Sequence, residues 1–371
     1  MKGVFALIVF GFISISISVA QSTNDILNLL ISNKTIMQEQ ADSIRAEAAI
    51  KQQETDANKK FFFVTSSKPI QLSGFAQVRY QNLDEKDKID GFDIRRARLD
   101  LKGAITPYWN YKFQAEFAGT PKLLEVYGEC KIASYFNITL GQFRIPFSLE
   151  NTASTVKLET IELSQVVEAM AARSKDVIGN QNGNDIGIQF NGSFVKLNDK
   201  PLIDYSIGIF NGSGININDK NEAKSLAGRL VFHPLKGLDV GGSFYNGWDN
   251  FGATPKDAER SRIGFELKYE YNRLSFRTEY IKGNDDNTKR FGWYAQTGYY
   301  IIPQKLQLLL KYDRYEPNTS KSGDISTCYL GVLNYNFNNW SRIQLGYTIR
   351  LEQQYLYSSN NMGVIQYQIG F

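Results

Sequence analysis

Histidine is almost missing: the 371 residues contain one, His233. Imidazole is the usual group for proton transfer near neutral pH and for holding transition metals, so acid–base enzymes and metal centres start at a disadvantage. His233 also precedes Pro234 in the tight link "HPLKG", a poor place for a catalytic base, and reads as a structural turn residue. Cysteine is scarce as well. Two residues, Cys130 and Cys328, are too few for a disulfide framework in a chain of this length. Each sits in a strand-like run and reads as a buried or lipid-facing thiol, with a single pairing left open. No apolar run long enough for a helical span occurs after the first twenty residues. A net charge of +4 is too small to indicate nucleic acid. "GQFRIPF" lacks phosphate-cradling glycine spacing, and "GSGIN" is a turn. The lysines inside "DEKDKID" suit a solvated loop better than Ca²⁺ ligation. No catalytic, cofactor or metal residues emerge.

Aromatics, by contrast, are plentiful, with 24 Phe and 21 Tyr. The chain begins with Lys2, an apolar segment "VFALIVFGFISISISV" and small residues at Ser18–Val19–Ala20. That pattern predicts a signal peptide over 1–20, cut near Ala20–Gln21, and hence an exported protein. Residues 21–60 differ from the rest: Gly and Pro are absent between 22 and 60, and Gln, Ala, Glu and Lys favour helix. Leu27, Leu30, Lys34, Met37, Ala41, Ile44 and Ala48 follow steps of three and four, the seam of a short coiled coil between identical subunits. A solvated helix or flexible leader is the other reading. Residues 61–70 are expected to be a linker.

From Gln71 to the end, apolar and polar residues alternate in about sixteen segments of roughly 9–12 residues, the length a tilted transmembrane strand needs. In "IRRARLDLKG", Ala97, Leu99 and Leu101 take one face, and Arg96, Arg98, Asp100 and Lys102 the other. "YKFQAEF", "RIGFELKYEY", "RLSFRTEY" and "RIQLGYTIR" repeat the scheme. Connections alternate between tight links such as "TPY", "ASY" and "YN" and long ones such as "NGSGININDKNEAK" and "GNDDNTK". Sixteen amphipathic strands exceed what an open sheet holds. A closed barrel with lipid outside and water inside leaves no edge. Tyr108, Trp109, Tyr135, Trp248, Tyr299, Tyr300 and Trp340 at strand ends suit interfacial girdles.

That register turns Arg96, Arg98, Lys102, Arg262, Lys268, Arg273, Arg277, Arg342 and Arg350 toward the lumen. It turns many acids inward too: Asp100, Glu116, Glu125, Glu129, Glu266, Glu270, Glu279 and Asp313. One connection, 144–183, is far longer than the others. It follows the fifth predicted strand, is rich in Leu, Val and Ile, and carries Arg144, Arg173 and Lys175. Folded inward, it would narrow the lumen.

The stretches "GFDIRRARLDLKG" (91–103), "LGQFRIPFSLE" (140–150), "NGNDIGIQFNG" (182–192) and "YSIGIFNGSG" (205–214), with a terminal Phe371, resemble the phosphate-selective porin O and P family over roughly residues 71–371. The resemblance implies a sixteen-stranded trimeric barrel in the outer membrane of a Gram-negative bacterium. It also implies a constriction loop after the fifth strand and, in some relatives, an N-terminal periplasmic coiled coil. The expectation is an all-β transmembrane barrel passing small hydrophilic or anionic solutes, without a cofactor. A non-selective channel, one for carboxylates or oligosaccharides, a gated receptor barrel and a soluble secreted binding protein are the alternatives.

Overall fold

The structure, a computed structural model, describes residues 28, 31–33, 37, 40, 61–65, 68–84, 89–197, 200–252, 256–352 and 360–371. The predicted signal peptide and nearly all of the coiled-coil seam lie outside them. Residues 61–371 form one compact unit.

Seventeen strands appear among the described residues. A short lead-in, β1 (Phe61–Thr65), is followed by β2 (Lys68–Leu83), β3 (Gly91–Ala104), β4 (Trp109–Glu116), β5 (Lys122–Ala133) and β6 (Phe136–Arg144). Beyond the long connection come β7 (Asn184–Leu197), β8 (Lys200–Phe210), β9 (Ser225–Leu235), β10 (Leu238–Phe251), β11 (Lys256–Tyr271) and β12 (Leu274–Asp285). The last five are β13 (Thr288–Ile302), β14 (Leu306–Glu316), β15 (Ser326–Asn336), β16 (Ser341–Glu352) and β17 (Met362–Gly370). Each of β2 to β17 pairs antiparallel with its sequence neighbours. β17 returns to pair with β2, from Met362↔Leu83 to Gly370↔Phe75. Phe371 and Gly74 exchange two further backbone hydrogen bonds, 3.0 and 3.2 Å long. The barrel is therefore closed with sixteen strands.

Three details depart from the sequence reading. The expected linker contains a strand, since β1 pairs with the start of β2, where β17 no longer reaches. Several strands outrun their apolar cores. The expected long link "GNDDNTK" shrinks to Asp286 and Asn287 because Asp285 and Thr288 still pair across β12 and β13. His233 lies within β9 rather than in a turn, its ring bonded to Asp239 (2.7 Å) and Asp204 (3.0 Å) on flanking strands.

Burial is inverted relative to a water-soluble domain. Leu99, Phe113, Phe265, Leu345 and Tyr347 are exposed, whereas Gln77, Arg98, Glu116 and Gln366 are buried. An outer wall of exposed Leu, Ile and Phe matches hydrocarbon, and the polar residues satisfy one another inside. The turn ends carry exposed Tyr108, Trp109, Tyr135 and Tyr299. Placing charge on the lipid face near the midplane costs about 2–4 kcal/mol. Leu99→Arg should therefore lower unfolding stability in lipid vesicles by about that amount, whereas Leu99→Met should leave it nearly unchanged. Equal stability of the two variants would mean that Leu99 does not meet lipid.

Candidate functional site

The long connection folds into the lumen. After β6 it runs through α1 (Leu149–Thr152), a 3₁₀ turn (Thr155–Lys157) and α2 (Gln165–Met170) before rejoining the wall at β7. One side of it packs on the wall: Ile145, Phe147, Leu163, Val166, Val167 and Met170 form a buried cluster with Phe143, Phe210, Tyr245, Ile281, Tyr294 and Tyr315. Its middle crosses to the opposite wall, where Ile161 packs with Met362 and Val364.

Both helices are too short to stand alone, and wall carboxylates hold their starts. The Leu149 and Glu150 amides donate to Glu279 at 3.0 and 3.5 Å. The Gln165 amide donates to Asp313 at 2.8 Å. Orphan N–H groups at a helix start favour an anion there. Glu150 in turn pairs with Lys311 at 2.8 Å and accepts from the Ser164 amide and hydroxyl, both at 2.7 Å. Where the connection returns toward β7, Arg260 bridges Asp176 (2.7 Å) and Asp249 (2.9 Å) under the Tyr245 ring. Burial alone would raise the Asp176 pKa, but Arg260 and Arg262 outweigh it and hold the carboxyl below the usual range. Gly183 closes the connection at φ +76°, where a Cβ would sit 1.8 Å from Asn151 Oδ1. That Asn151 oxygen is the one that orients Arg173.

A cavity of about 570 Å³ lies between the infolded segment and the wall built by β2–β5 and β14–β17. Nine cations and five acids line it, an excess of four positive charges. Arg79 pairs with Asp93 and Glu162, and Arg95 with Glu162. Arg98 pairs with Glu116 at 2.8 Å and also reaches Thr155 and Asn182. Among the described residues, Arg96 donates only to Gln77, at 2.8 Å, and Arg173 only to Asn151. Arg96, Arg173, Lys175 and Arg350 make no ion pair among the described residues. Burial, then the Arg144 guanidinium, pushes Arg173 down to about 9, which leaves it charged at pH 7.

Of the residues turned inward by the sequence register, Arg96, Arg98 and Arg350 meet Arg173 and Lys175 at this cavity. Lys268 (Asp239, Glu270), Arg277 (Glu270) and Arg342 (Gln368) lie toward the turn end with partners. Arg144 ends β6 and donates to the Ala153 carbonyl at 2.6 Å. Lys102 sits exposed near the end of β3, opposite Lys112. Two expectations fail. Arg262 lines no open water, being buried against the Met170 carbonyl and Asp285. Arg273 stands in the two-residue turn between β11 and β12.

The sequence reading did not single out Arg79, Arg95 or Lys311. Arg79 and Lys311 follow the inward alternation of their strands and could have been found. Arg95 could not: opposite Gln77 and Val78 of β2, β3 bulges at Arg95, so two consecutive β3 residues, Arg95 and Arg96, both turn inward.

The family model described as phosphate-selective porin O and P matches residues 70–247. Solved structures agree in fold across low identity. OmpF of Salmonella typhi superposes with a TM-score of 0.64 at 10% identity, over 84% of this chain and 100% of that one. An anion-selective porin from Comamonas acidovorans gives 0.62 at 12%, over 82% and 100%. OmpT of Vibrio cholerae in its trimer form gives 0.59 at 12%, over 82% and 99%. No curated protein matches in sequence.

Removing a buried ion while its partners stay is strongly destabilising, about 3–5 kcal/mol. Arg260→Ala should therefore loosen the infolded segment and expose it to protease in intact barrels. Arg260→Lys should be milder. Unchanged cleavage in Arg260→Ala would show that this triad does not hold the segment. Over residues 70–247 the chain matches the phosphate-selective porin O and P family, and its closed barrel is that of a Gram-negative outer-membrane channel.

Proposed function

We propose that the protein is a passive diffusion channel for small hydrophilic solutes with a preference for anions, and not an enzyme. The observation that carries this is the cavity at the infolded segment, where positive charge exceeds negative by four. The inward acids do not offset it, because the wall and the segment already occupy them. Glu116 pairs with Arg98, Glu125 with Lys112, and Glu266 with Arg229, while Glu279 and Asp313 accept helix amides. Arg96, Arg173, Lys175 and Arg350 remain to meet a passing ion. Fixed charge in a narrow pore acts at short range with little screening. The anion-selective porin from Comamonas acidovorans, with the same fold, supports the reading.

The working form we infer is a homotrimer in outer-membrane lipid, with residues 22 to about 55 paired as a periplasmic coiled coil after the signal peptide is removed. The three–four spacing from Leu27 to Ala48 and the trimer form of OmpT support it. A monomeric mass for the full-length protein in mild detergent would contradict it.

Reversal potentials across a KCl gradient test the preference, and phosphate block of chloride current tests whether phosphate is the favoured anion. A unit charge about 7 Å from the ion is worth about 0.6 kcal/mol even at the dielectric of bulk water. Each of Arg96→Gln, Lys175→Gln and Arg350→Gln should thus lower anion partitioning about two- to threefold and raise cation partitioning by about as much, so the anion-to-cation permeability ratio falls about sevenfold, and further in the triple variant. Cation-selective current in the wild type would remove the anion reading and leave a non-selective porin.

A further inference from the structure

Glu159 of the infolded segment is held by a cluster of polar wall side chains. One carboxylate oxygen accepts from the Ser275 hydroxyl at 2.7 Å and from Gln307 Nε2 at 2.6 Å. The other accepts from Gln296 Nε2 at 3.0 Å, with Arg277 Nε 3.6 Å away. The Glu159 backbone carbonyl accepts from Asn334 Nδ2 (3.0 Å) and Gln344 Nε2 (3.2 Å). All six donors belong to wall strands β12 to β16, whereas Glu159 belongs to a segment with no strand pairing.

Several of the donors are also held by bonds that do not involve Glu159. Asn334 donates to Gln307 Oε1 at 3.0 Å, Gln344 to Asn334 Oδ1 at 2.8 Å, and Gln366 to Gln344 Oε1 at 2.8 Å. This amide chain runs from β14 to β17, and its members are almost fully buried. Among the described residues, the buried Arg277 Nε donor has no hydrogen-bond partner. A hydroxyl, two amide NH₂ groups and a guanidinium therefore converge from a rigid wall on one pair of oxygens. That set matches a carboxylate: several neutral donors spread its charge, and one cation balances it.

We propose that Ser275, Arg277, Gln296 and Gln307 form a carboxylate-binding site in the lumen, and that Glu159 is its tethered occupant, holding the segment across the channel. The inference assumes only that the barrel conducts; it does not depend on the anion preference of the arginine-walled cavity. A small carboxylate at high concentration is then a competitor for the site, and Glu159 is the positioning residue that sets how much of the lumen stays open.

The test is planar-bilayer conductance of the full-length protein in KCl, with heat-modifiable migration confirming the folded barrel. A barrel of this size is open without its infolded segment, so Glu159→Ala should raise single-channel conductance roughly two-fold. Added potassium acetate, at constant ionic strength, should return it toward the wild-type value by filling the vacated site. The wild type, its site occupied, should not respond. Gln307→Leu removes a wall donor and keeps Glu159; its conductance should rise too, without rescue by acetate. Wild-type conductance in either folded variant would overturn the latch. A raised conductance in Glu159→Ala that ignores acetate would overturn the carboxylate site. Reversal potentials in the same bilayers report the arginine cavity separately, so failure there is distinguishable from failure here.

Discussion

A peptide group in hydrocarbon has no water to bond, so every N–H and C=O that crosses the bilayer must find a partner within the protein. For strands, only closure meets that condition. Closure sets the rest of this structure. β17 must return to β2, which fixes an even antiparallel ladder and leaves Phe371 bonded to Gly74. With lipid outside, the apolar half of each strand is satisfied without a core, and the polar half is driven inward. The interior is consequently a ring of Gln, Asn, Arg, Glu and Asp with nothing to pack against but water or the protein's own backbone.

The infolded segment answers that polar interior, and it does so asymmetrically. Toward β8–β14 it packs aromatic and aliphatic side chains, and its helix starts bind Glu279 and Asp313. Toward β2, β3 and β17 it sends Ile161 and Glu162 across, and Thr155, Asn182 and the Val156 carbonyl accept from Arg98 and Gln368. Lumen carboxylates are thus consumed by holding the segment or by pairing across strands, and guanidinium and ammonium groups on the far wall are left facing the cavity. Counting inward acids against inward bases in the sequence suggests near neutrality. The division of labour between the two walls is what produces the local excess of positive charge.

Strand existence and direction were legible because the side-chain period of a strand is two, and a single face criterion sorts each segment. All sixteen barrel segments lie where the alternation places them, and Leu99, Phe265 and Leu345 face outward as read. What escaped depends on tertiary geometry. β1 exists because β17 stops short on β2, which no local pattern records. Arg95 turns inward through a bulge. Arg262 has the right parity to line water, yet α2 covers it, and the path of an infolded segment leaves no periodic trace. Glu159 sits in "KLETIELS" as one acid among several; only the convergence of five strands upon it sets it apart.

The central claim is that residues 145–183 lie across the lumen against both walls in the working channel. A disulfide between the segment and the far wall tests it most directly, using Ile161→Cys with Val364→Cys after Cys130 and Cys328 are replaced by Ser. Ile161 and Val364 already pack together, so oxidation in native membranes should join them efficiently, and single-channel conductance should be the same before and after the bond forms. Failure to cross-link, or a drop in conductance when the bond closes, would show that the segment normally lies elsewhere.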